Sequence, residues 1–201
     1  MRASFKEERK LWKKGFKRVV CLDESGRGPL SGPVIACALF FQQSSRSKQI
    51  PKVKDSKKLT PKKREELYKI LIGHPQIEWG IGRVSEKVID KINILEATKL
   101  AMKRAVKKLK NKPSFLILDG NFKIDLNIPQ KSIIKADNKV FSCAAASIIA
   151  KVYRDRIMKR YHKKYPQYGF DKHKGYPTKL HRARLRKYGP CKIHRKSFNF
   201  G

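Results

Sequence analysis

Apolar and polar positions follow two different periods along the chain, and these periods predict both strands and helices. Short apolar runs predict buried strands over 18–22, 33–41 and 77–84, and in the segments "SFLILDG" and "KSIIKAD". Apolar residues at three- and four-residue intervals predict helices over 65–73, 87–110 and 140–165, and a final helix in "YPTKLHRARLRKYG". Strands that alternate with helices indicate an α/β fold with a mixed central β-sheet flanked by helices on both faces.

Two of the predicted helices carry recognisable start signals. Thr60 is expected to cap a helix whose first position is Pro61. The last helix is expected either to be capped by Thr178 or to begin at Pro177.

Length and apolar content predict one domain over residues 1–201. Residues 1–17 form a basic N-terminal lead, and the length leaves room for a small appendage. No apolar run approaches the roughly 20 residues that span a bilayer. No apolar segment follows the basic lead, so a secretory signal is not expected. We therefore expect a cytoplasmic protein with no membrane partner.

The four cysteines lie far apart and lack the spacing of a metal site: Cys21, Cys37, Cys143 and Cys191. Three of them lie in apolar stretches, where cysteine behaves as a small hydrophobic residue. Reduced thiols are expected, with neither a disulfide framework nor a zinc site.

Positive charge dominates the composition. The chain has 50 Lys and Arg against 16 Asp and Glu, a formal charge of +34. From residue 151 onwards, 17 basic residues face only Asp155 and Asp171, and tyrosine, phenylalanine and histidine are interleaved with them. This pattern favours a nucleic-acid surface. The alternative is a solvated lysine-rich surface with no partner.

Acidic residues follow three of the predicted strands. Asp23 and Glu24 end the first, Asp119 follows "LIL", and Asp137 ends "KSIIKAD". If these strand ends converge, four carboxylates share one pocket, the oxygen-only ligand set that Mg²⁺ or Mn²⁺ prefers. Two such ions about 4 Å apart can activate a water and stabilise the leaving oxygen when a phosphodiester is hydrolysed. The alternative is that these acids only form turns and caps.

Two further clusters are candidates for substrate contact. Gly26 and Gly28 allow close backbone approach, and Arg27 between them can contact a phosphate or sugar. Ser56, Lys57 and Lys58 in "DSKKLT" can hold a phosphate before a helix, although this pattern alone is weak.

Several of these segments together resemble the bacterial ribonuclease HII (type 2 ribonuclease H) family. They run in family order from Val19 to Phe198: "LDESGRGPLSGPV", "DSKKLT", "LILDGNF", "IIKADNKVFSCAAASIIAKVYRDRIM", "YHKKYPQYGFDKHKGYPTKLH" and "HRKSF". The resemblance implies a ribonuclease H-like fold with a C-terminal helical extension over about 165–201. It implies hydrolysis of the RNA strand of RNA/DNA hybrids and cleavage 5′ to single ribonucleotides in duplex DNA, leaving 5′-phosphate and 3′-hydroxyl ends.

The resemblance also assigns roles to individual residues. The family's active-site carboxylates fall on Asp23, Glu24, Asp119 and Asp137. Its Gly-Arg-Gly motif, which contacts the ribose 2′-hydroxyl, falls on Gly26, Arg27 and Gly28, and its junction-sensing tyrosine falls on Tyr176. His173 and Lys174 are additional candidates for phosphate contact.

The sequence departs slightly from the family pattern. Ser25 stands where many members have Ala or Val, and Ala136 where bacterial members commonly have Gly. The family implies a monomer, and the C-terminal "SFNFG" shows no evident tail for binding a sliding clamp.

The sequence leaves two alternative functions to be considered. A basic RNA-binding protein without catalysis fits the charge, but it gains nothing from a cluster of scarce carboxylates. A type 3 ribonuclease H carries an extra N-terminal substrate-binding domain, which the short basic lead is not expected to form.

Overall fold

A five-stranded mixed sheet forms the centre of the computed structural model, which describes residues 3–42 and 59–200. The strands are β1 Val19–Ser25, β2 Val34–Phe41, β3 Ile77–Val84, β4 Phe115–Asp119 and β5 Gln130–Ile133. Their order across the sheet is β3-β2-β1-β4-β5. β2 runs antiparallel to β1 and β3, whereas β1, β4 and β5 are parallel. The predicted mixed sheet is confirmed.

Helices cover both faces of this sheet. The helices are α1 Lys6–Lys13, α2 Pro61–Gly73, α3 Glu86–Val106, α4 Phe141–Lys164, α5 Phe170–His173 and α6 Lys179–Tyr188, with 3₁₀ turns at Ala136–Asn138 and Pro166–Tyr168. The last two do not pack on the sheet: α5 packs on α4, and α6 packs on the second 3₁₀ turn. Side chains alternate along β2, so Ile35 and Cys37 pack with α2 and α4. Ala36 and Ala38 pack with α3 on the opposite face. The apolar run in β2 is therefore continuous because both faces are buried.

The predicted helix starts agree with the structure. The Thr60 hydroxyl accepts a hydrogen bond from Lys63 N at 3.3 Å, and Pro61 occupies the first position of α2. The Thr178 hydroxyl accepts from His181 N at 3.2 Å at the start of α6. Thr178 is thus the cap, which settles the alternative that the sequence left open.

The prediction of one uninterrupted helix over 87–110 is wrong. Asn93 has a φ of 64° and breaks α3 internally. Its side-chain oxygen accepts hydrogen bonds from Leu95 N at 2.9 Å and Glu96 N at 3.1 Å. Asn93 therefore starts the second part of the helix in the manner of an N-cap.

The basic N-terminal lead contains α1 and contributes to the core. The Phe5 ring lies 4.5 Å from the Phe141 ring and 5.0 Å from that of Phe41. Glu8 is 1% exposed, and its carboxylate accepts a hydrogen bond from Ser142 N at 3.1 Å, at the start of α4. The lead thus holds the amino end of α4, a role that the sequence did not predict.

Two further expectations from the sequence concern the cysteines and membrane-spanning helices. All four cysteines are free, and three are buried. Across residues 3–42 and 59–200, no helix is long and apolar enough to cross a membrane.

Candidate active site

Three carboxylates converge at the carboxyl edge of the sheet. Because β1 and β4 are adjacent and parallel, Asp23 and Asp119 lie at the same edge. Asp137 joins them from the 3₁₀ turn that follows β5. One oxygen of each carboxylate lies within 4.8 Å of the others. Glu24 is next to Asp23, and its Oε1 lies 3.6 Å from Arg27 Nη1.

The predicted position of Asp137 at the end of a strand is wrong. β5 ends at Ile133, and Lys135 adopts a left-handed conformation with a φ of 56° that turns the chain. Ala136 N then donates to Asp119 Oδ1 at 2.9 Å, and Asn138 Nδ2 donates to Asp137 Oδ1 at 3.0 Å. Asp119 therefore anchors the turn that carries Asp137.

The electrostatics of the cluster favour a bound cation. Burial raises the pKa of Asp23 well above its ordinary range, and the nearby charges of Glu24 and Asp119 raise it further. Hydrogen bonds from the Ser147 hydroxyl and from Glu24 N, at 2.6 Å, act in the opposite direction on this pKa. Among residues 3–42 and 59–200, the cluster consists of carboxylate oxygens alone, which suits a hard divalent cation.

The loop between β1 and β2 lies beside the carboxylates. Gly26 has a φ of 104°, which L side chains rarely adopt. The Arg27 side chain is 43% exposed and lies near Glu24 and, at 5.8 Å, over the Phe122 ring. A Cβ on Gly28 would lie 3.8 Å from Tyr176 Cε1. The structure thus brings the Gly-Arg-Gly segment and Tyr176 together.

Tyr176 lies on an exposed turn between α5 and α6. Its side chain is 38% exposed, and Lys151 Nζ lies 5.7 Å from its ring centre. The turn itself is held by His173, which is 8% exposed. His173 Nδ1 accepts from Gly175 N at 3.1 Å and Nε2 bonds Tyr168 O at 2.8 Å. Both ring nitrogens therefore serve the backbone, which favours a structural role for His173 over a phosphate contact.

Two more buried histidines, His181 and His194, help to hold the turn that carries Tyr176. Cys191 N donates to His194 Nδ1 at 2.9 Å, so the His194 proton is on Nε2. His194 Nε2 donates to His181 Nε2 at 3.0 Å, and His181 Nδ1 donates to Tyr176 O at 2.9 Å. The chain of hydrogen bonds requires both rings to be neutral, and burial lowers the pKa of each to about 4.

A mainly basic groove includes Lys151, whose Nζ lies 5.7 Å from the Tyr176 ring centre. A cavity of about 300 Å³ lies between the start of α2, the middle of α4 and the turn that carries Lys174. Its basic lining residues are Arg64, Lys151, Arg156, Lys159, Lys172 and Lys174. Glu65 and Asp155 also line it and pair with Arg156 and Lys151, respectively. The predicted phosphate ligands Ser56, Lys57 and Lys58 lie outside the described residues.

Two fully buried arginines near the loop were missed in the sequence. Arg154 lies on α4 and Arg195 near the C-terminus, and each is 0% exposed. The available signal was the position of Arg154 within the apolar spacing of α4. In a chain with 50 basic residues this signal does not stand out.

Comparisons with known proteins agree with this geometry. A sequence model of the family described as ribonuclease HII matches residues 20–200. A ribonuclease HII of Chlamydia trachomatis serovar A is 50% identical over 192 residues, covering 96% of this chain and 87% of the relative. One from Caldicellulosiruptor saccharolyticus is 48% identical, covering 96% of this chain and 93% of the relative.

Solved structures show the same fold. The ribonuclease H2 of Pyrococcus horikoshii superposes with a TM-score of 0.73 at 29% identity, covering 91% of this chain and 94% of that one. The RNase HII in a complex with PCNA from Archaeoglobus fulgidus has a TM-score of 0.76 at 25% identity, covering 90% and 95%. The expected ribonuclease H-like fold is thereby confirmed.

Proposed function

Because the chain belongs to the ribonuclease HII family, we propose that its ribonuclease H activity includes nicking duplex DNA 5′ to a single embedded ribonucleotide. Hydrolysis of RNA paired with DNA and use of divalent cations accompany membership of the family. The position of the nick, the participation of two ions and the roles of individual residues are part of the proposal.

One observation carries this proposal: a carboxylate cluster lies beside a glycine-rich loop that is in contact range of a tyrosine. Asp23, Asp119 and Asp137 lie within 4.8 Å of one another. Gly28 follows Glu24 by four residues in the chain and lies against Tyr176. A site for cations and a site for a sugar are therefore adjacent.

Asp23, Glu24, Asp119 and Asp137 would hold Mg²⁺ or Mn²⁺ in this arrangement. The chemistry that a pair of such cations supplies is activation of a water for in-line attack on phosphorus and stabilisation of the leaving 3′-oxygen. The protein's own contribution is to hold the carboxylates of Asp23 and Asp119 in position by hydrogen bonds. Ser147 and Glu24 N hold the Asp23 carboxylate, and Ala136 N holds that of Asp119.

Selectivity is assigned to the Gly-Arg-Gly segment and Tyr176. The 2′-hydroxyl is the group that distinguishes a ribose from a deoxyribose. Backbone groups of Gly26 to Gly28 and the phenol of Tyr176 can hydrogen-bond this hydroxyl. The exposed Tyr176 ring can also stack on the following sugar, where an additional hydroxyl would be disfavoured. The bases are not contacted in this scheme, so sequence preference should be slight.

The rival functions are less well supported. A passive RNA-binding protein needs no buried carboxylate cluster, and the family match points to an enzyme. The RNase HIII of Bst, in complex with Mn²⁺, has a TM-score of 0.69 at 17% identity, which shows a shared fold alone.

The proposal is tested with three labelled duplexes: all DNA, DNA with one ribonucleotide, and RNA paired with DNA. We expect the second and third to be cut with Mg²⁺ or Mn²⁺, and none to be cut in EDTA. Asp119→Asn should reduce both rates by at least about 100-fold, because it removes a ligand and the anchor of the turn carrying Asp137. Cation binding, measured by calorimetry, should weaken in the same variant.

Asp125→Asn is the matched control. Asp125 is 99% exposed and pairs with Lys103 on the surface, so its replacement should change neither rate. Cleavage of the hybrid alone would contradict the proposed nicking of single ribonucleotides. Failure to cut either substrate would favour the binding-protein alternative.

A further inference from the structure

Two buried guanidinium groups lie under the loop that joins β1 to β2. Arg154 and Arg195 are each 0% exposed. Burial of a charge is costly unless hydrogen bonds compensate for the lost water. Here each guanidinium donates to several backbone carbonyl oxygens, and these carbonyls belong to the segments that flank the proposed sugar site.

Arg154 joins the loop to the turn that carries Tyr176. Its Nε donates to Pro33 O and its Nη2 to Ser31 O, both at 3.0 Å. Its Nη1 donates to Lys174 O, also at 3.0 Å, two residues before Tyr176. One rigid planar group therefore fixes the separation of the two segments.

Arg195 joins the two ends of the same loop. Its Nη2 donates to Gly26 O at 2.6 Å and its Nη1 to Arg27 O at 2.9 Å. Its Nε donates to Gly32 O at 3.0 Å. The carbonyl oxygens of the Gly-Arg-Gly segment are thereby held from below.

Glycines allow this close approach. A Cβ on Gly26 would overlap the Arg154 side chain and lie 2.8 Å from Pro33 O. A Cβ on Gly175 would lie 2.5 Å from Ser31 Oγ. Leu30 N also donates to Gly175 O at 2.8 Å, so the loop and the Tyr176 turn are in direct backbone contact.

We infer that Arg154 and Arg195 are positioning residues that fix the Gly26–Gly28 segment relative to Tyr176, and thereby set the preference for an embedded ribonucleotide. The inference rests on the proposed function. A displacement of about 1 Å in such a site can cost on the order of 100-fold in rate. A uniform hybrid offers a 2′-hydroxyl at every position, so its cleavage depends less on this spacing.

The test compares Arg154→Lys and Arg195→Lys with the unmodified protein on two substrates, a DNA duplex with one ribonucleotide and an RNA/DNA hybrid. A lysine keeps the charge but cannot donate to three separated carbonyls in the fixed geometry of the guanidinium. We expect the ratio of kcat/KM, embedded ribonucleotide over hybrid, to fall at least about tenfold in each variant.

Arg18→Lys is the matched control. Arg18 also bonds a backbone carbonyl, that of Asn111 at 3.1 Å, and pairs with Glu78. It precedes β1 and lies at the opposite end of this strand from Asp23. Its replacement can lower stability but should leave the substrate ratio unchanged.

Gly175→Ala provides a second variant if either arginine variant fails to fold. It retains both guanidinium groups but separates the Tyr176 turn from Ser31, so the same fall in the ratio is expected. Equal losses on the two substrates, or an unchanged ratio, would overturn the inference, since a purely structural role reduces the folded fraction for both substrates alike. If the unmodified protein cuts the hybrid but not the embedded ribonucleotide, the proposed function itself fails, without reference to any variant.

Discussion

At the scale of single residues, the proposed chemistry depends on the protonation of Asp23. Burial and two neighbouring carboxylates raise its pKa, while the Ser147 hydroxyl opposes this rise. A protonated carboxyl is a poor ligand for a hard cation, so cation affinity should increase as the pH rises through the pKa of Asp23.

Ser147→Ala should raise the pKa of Asp23 further, because the ionised form loses a hydrogen bond. The cation affinity of the variant should therefore reach its plateau at a higher pH than in the unmodified protein. Calorimetric titration with Mg²⁺ at a series of pH values measures this displacement. Ser114→Ala is the control, since Ser114 bonds Arg18 N at the opposite end of the sheet. Coincident pH curves for Ser147→Ala and the unmodified protein would contradict the prediction.

The acidic residues could be predicted from sequence, but the buried arginines could not. Asp23 and Asp119 each follow an apolar run, so the end of a buried strand places them at an edge. Arg154 and Arg195 look like any of the 50 basic residues until the loop that they contact is folded. All but one of the carbonyl oxygens that they bond lie more than 100 positions away in the chain.

At the scale of elements, α1 and α4 are coupled through one carboxylate. Glu8 lies at the amino end of α4, bonded to Ser142 N. Burial raises the pKa of Glu8 to about 7 from 4.5. In the unfolded chain the group ionises first, so the folded state is favoured most below pH 4.5 and this contribution is lost as the pH rises towards 7.

Glu8→Gln should flatten this part of the stability profile. The difference between a pKa of about 7 in the folded protein and 4.5 in the unfolded chain corresponds to about 3 kcal/mol of unfolding free energy between pH 4.5 and 7. Urea unfolding across that range measures it. Glu66→Gln, at an exposed position of α2, should retain the unmodified slope. An identical slope in Glu8→Gln would show that Glu8 is not the titrating group.

The histidine chain of the C-terminal extension has the opposite pH dependence. His181 and His194 have pKa values of about 4 in the folded protein against 6.5. The unfolded chain takes up protons first on acidification, so stability is full above pH 6.5 and is lost towards pH 4.

We expect α6 to lose its protection from hydrogen exchange before the central sheet as the pH falls below 6.5. Both histidines contribute to this loss, because burial lowers the pKa of each in the folded protein. His194→Gln should reduce the pH dependence, and His74→Gln, outside the extension, should not. Simultaneous exchange of α6 and the sheet at every pH would contradict the expectation.

Sequence patterns predicted the bounds of some strands and helices but not of others. β3 was predicted with its observed bounds, because its run is bounded by turn residues. α1 was not predicted, because most of its residues are charged and its buried residue, Glu8, is charged as well. The break at Asn93 and the turn at Lys135 both depend on positive φ values at non-glycine residues, which apolar periodicity does not report.

At the scale of the whole molecule, the charge of +34 should dominate affinity. Binding to a duplex releases counterions from each neutralised phosphate, which makes affinity depend steeply on salt. Asp119→Asn, which should bind without cutting, allows this to be measured by titration with a labelled hybrid.

Between 50 and 200 mM salt we expect the affinity of Asp119→Asn for the hybrid to fall by about 10³-fold or more, as for roughly six phosphate contacts. Lys151→Gln, in the groove beside Tyr176, should reduce the slope by about one contact. Lys10→Gln on α1 is the control and should leave the slope unchanged. A shallow slope would show that the basic surface does not follow the phosphate backbone.

The most direct test of the account is the chemistry of the ends produced from a duplex with one ribonucleotide. Attack by a water at the carboxylate cluster predicts one nick 5′ to the ribonucleotide, with a 3′-hydroxyl on the DNA and a 5′-phosphate on the ribonucleotide. Mass spectrometry of the products identifies these ends. Cleavage on the 3′ side with a 2′,3′-cyclic phosphate would contradict the account, because that product forms by attack of the 2′-hydroxyl itself.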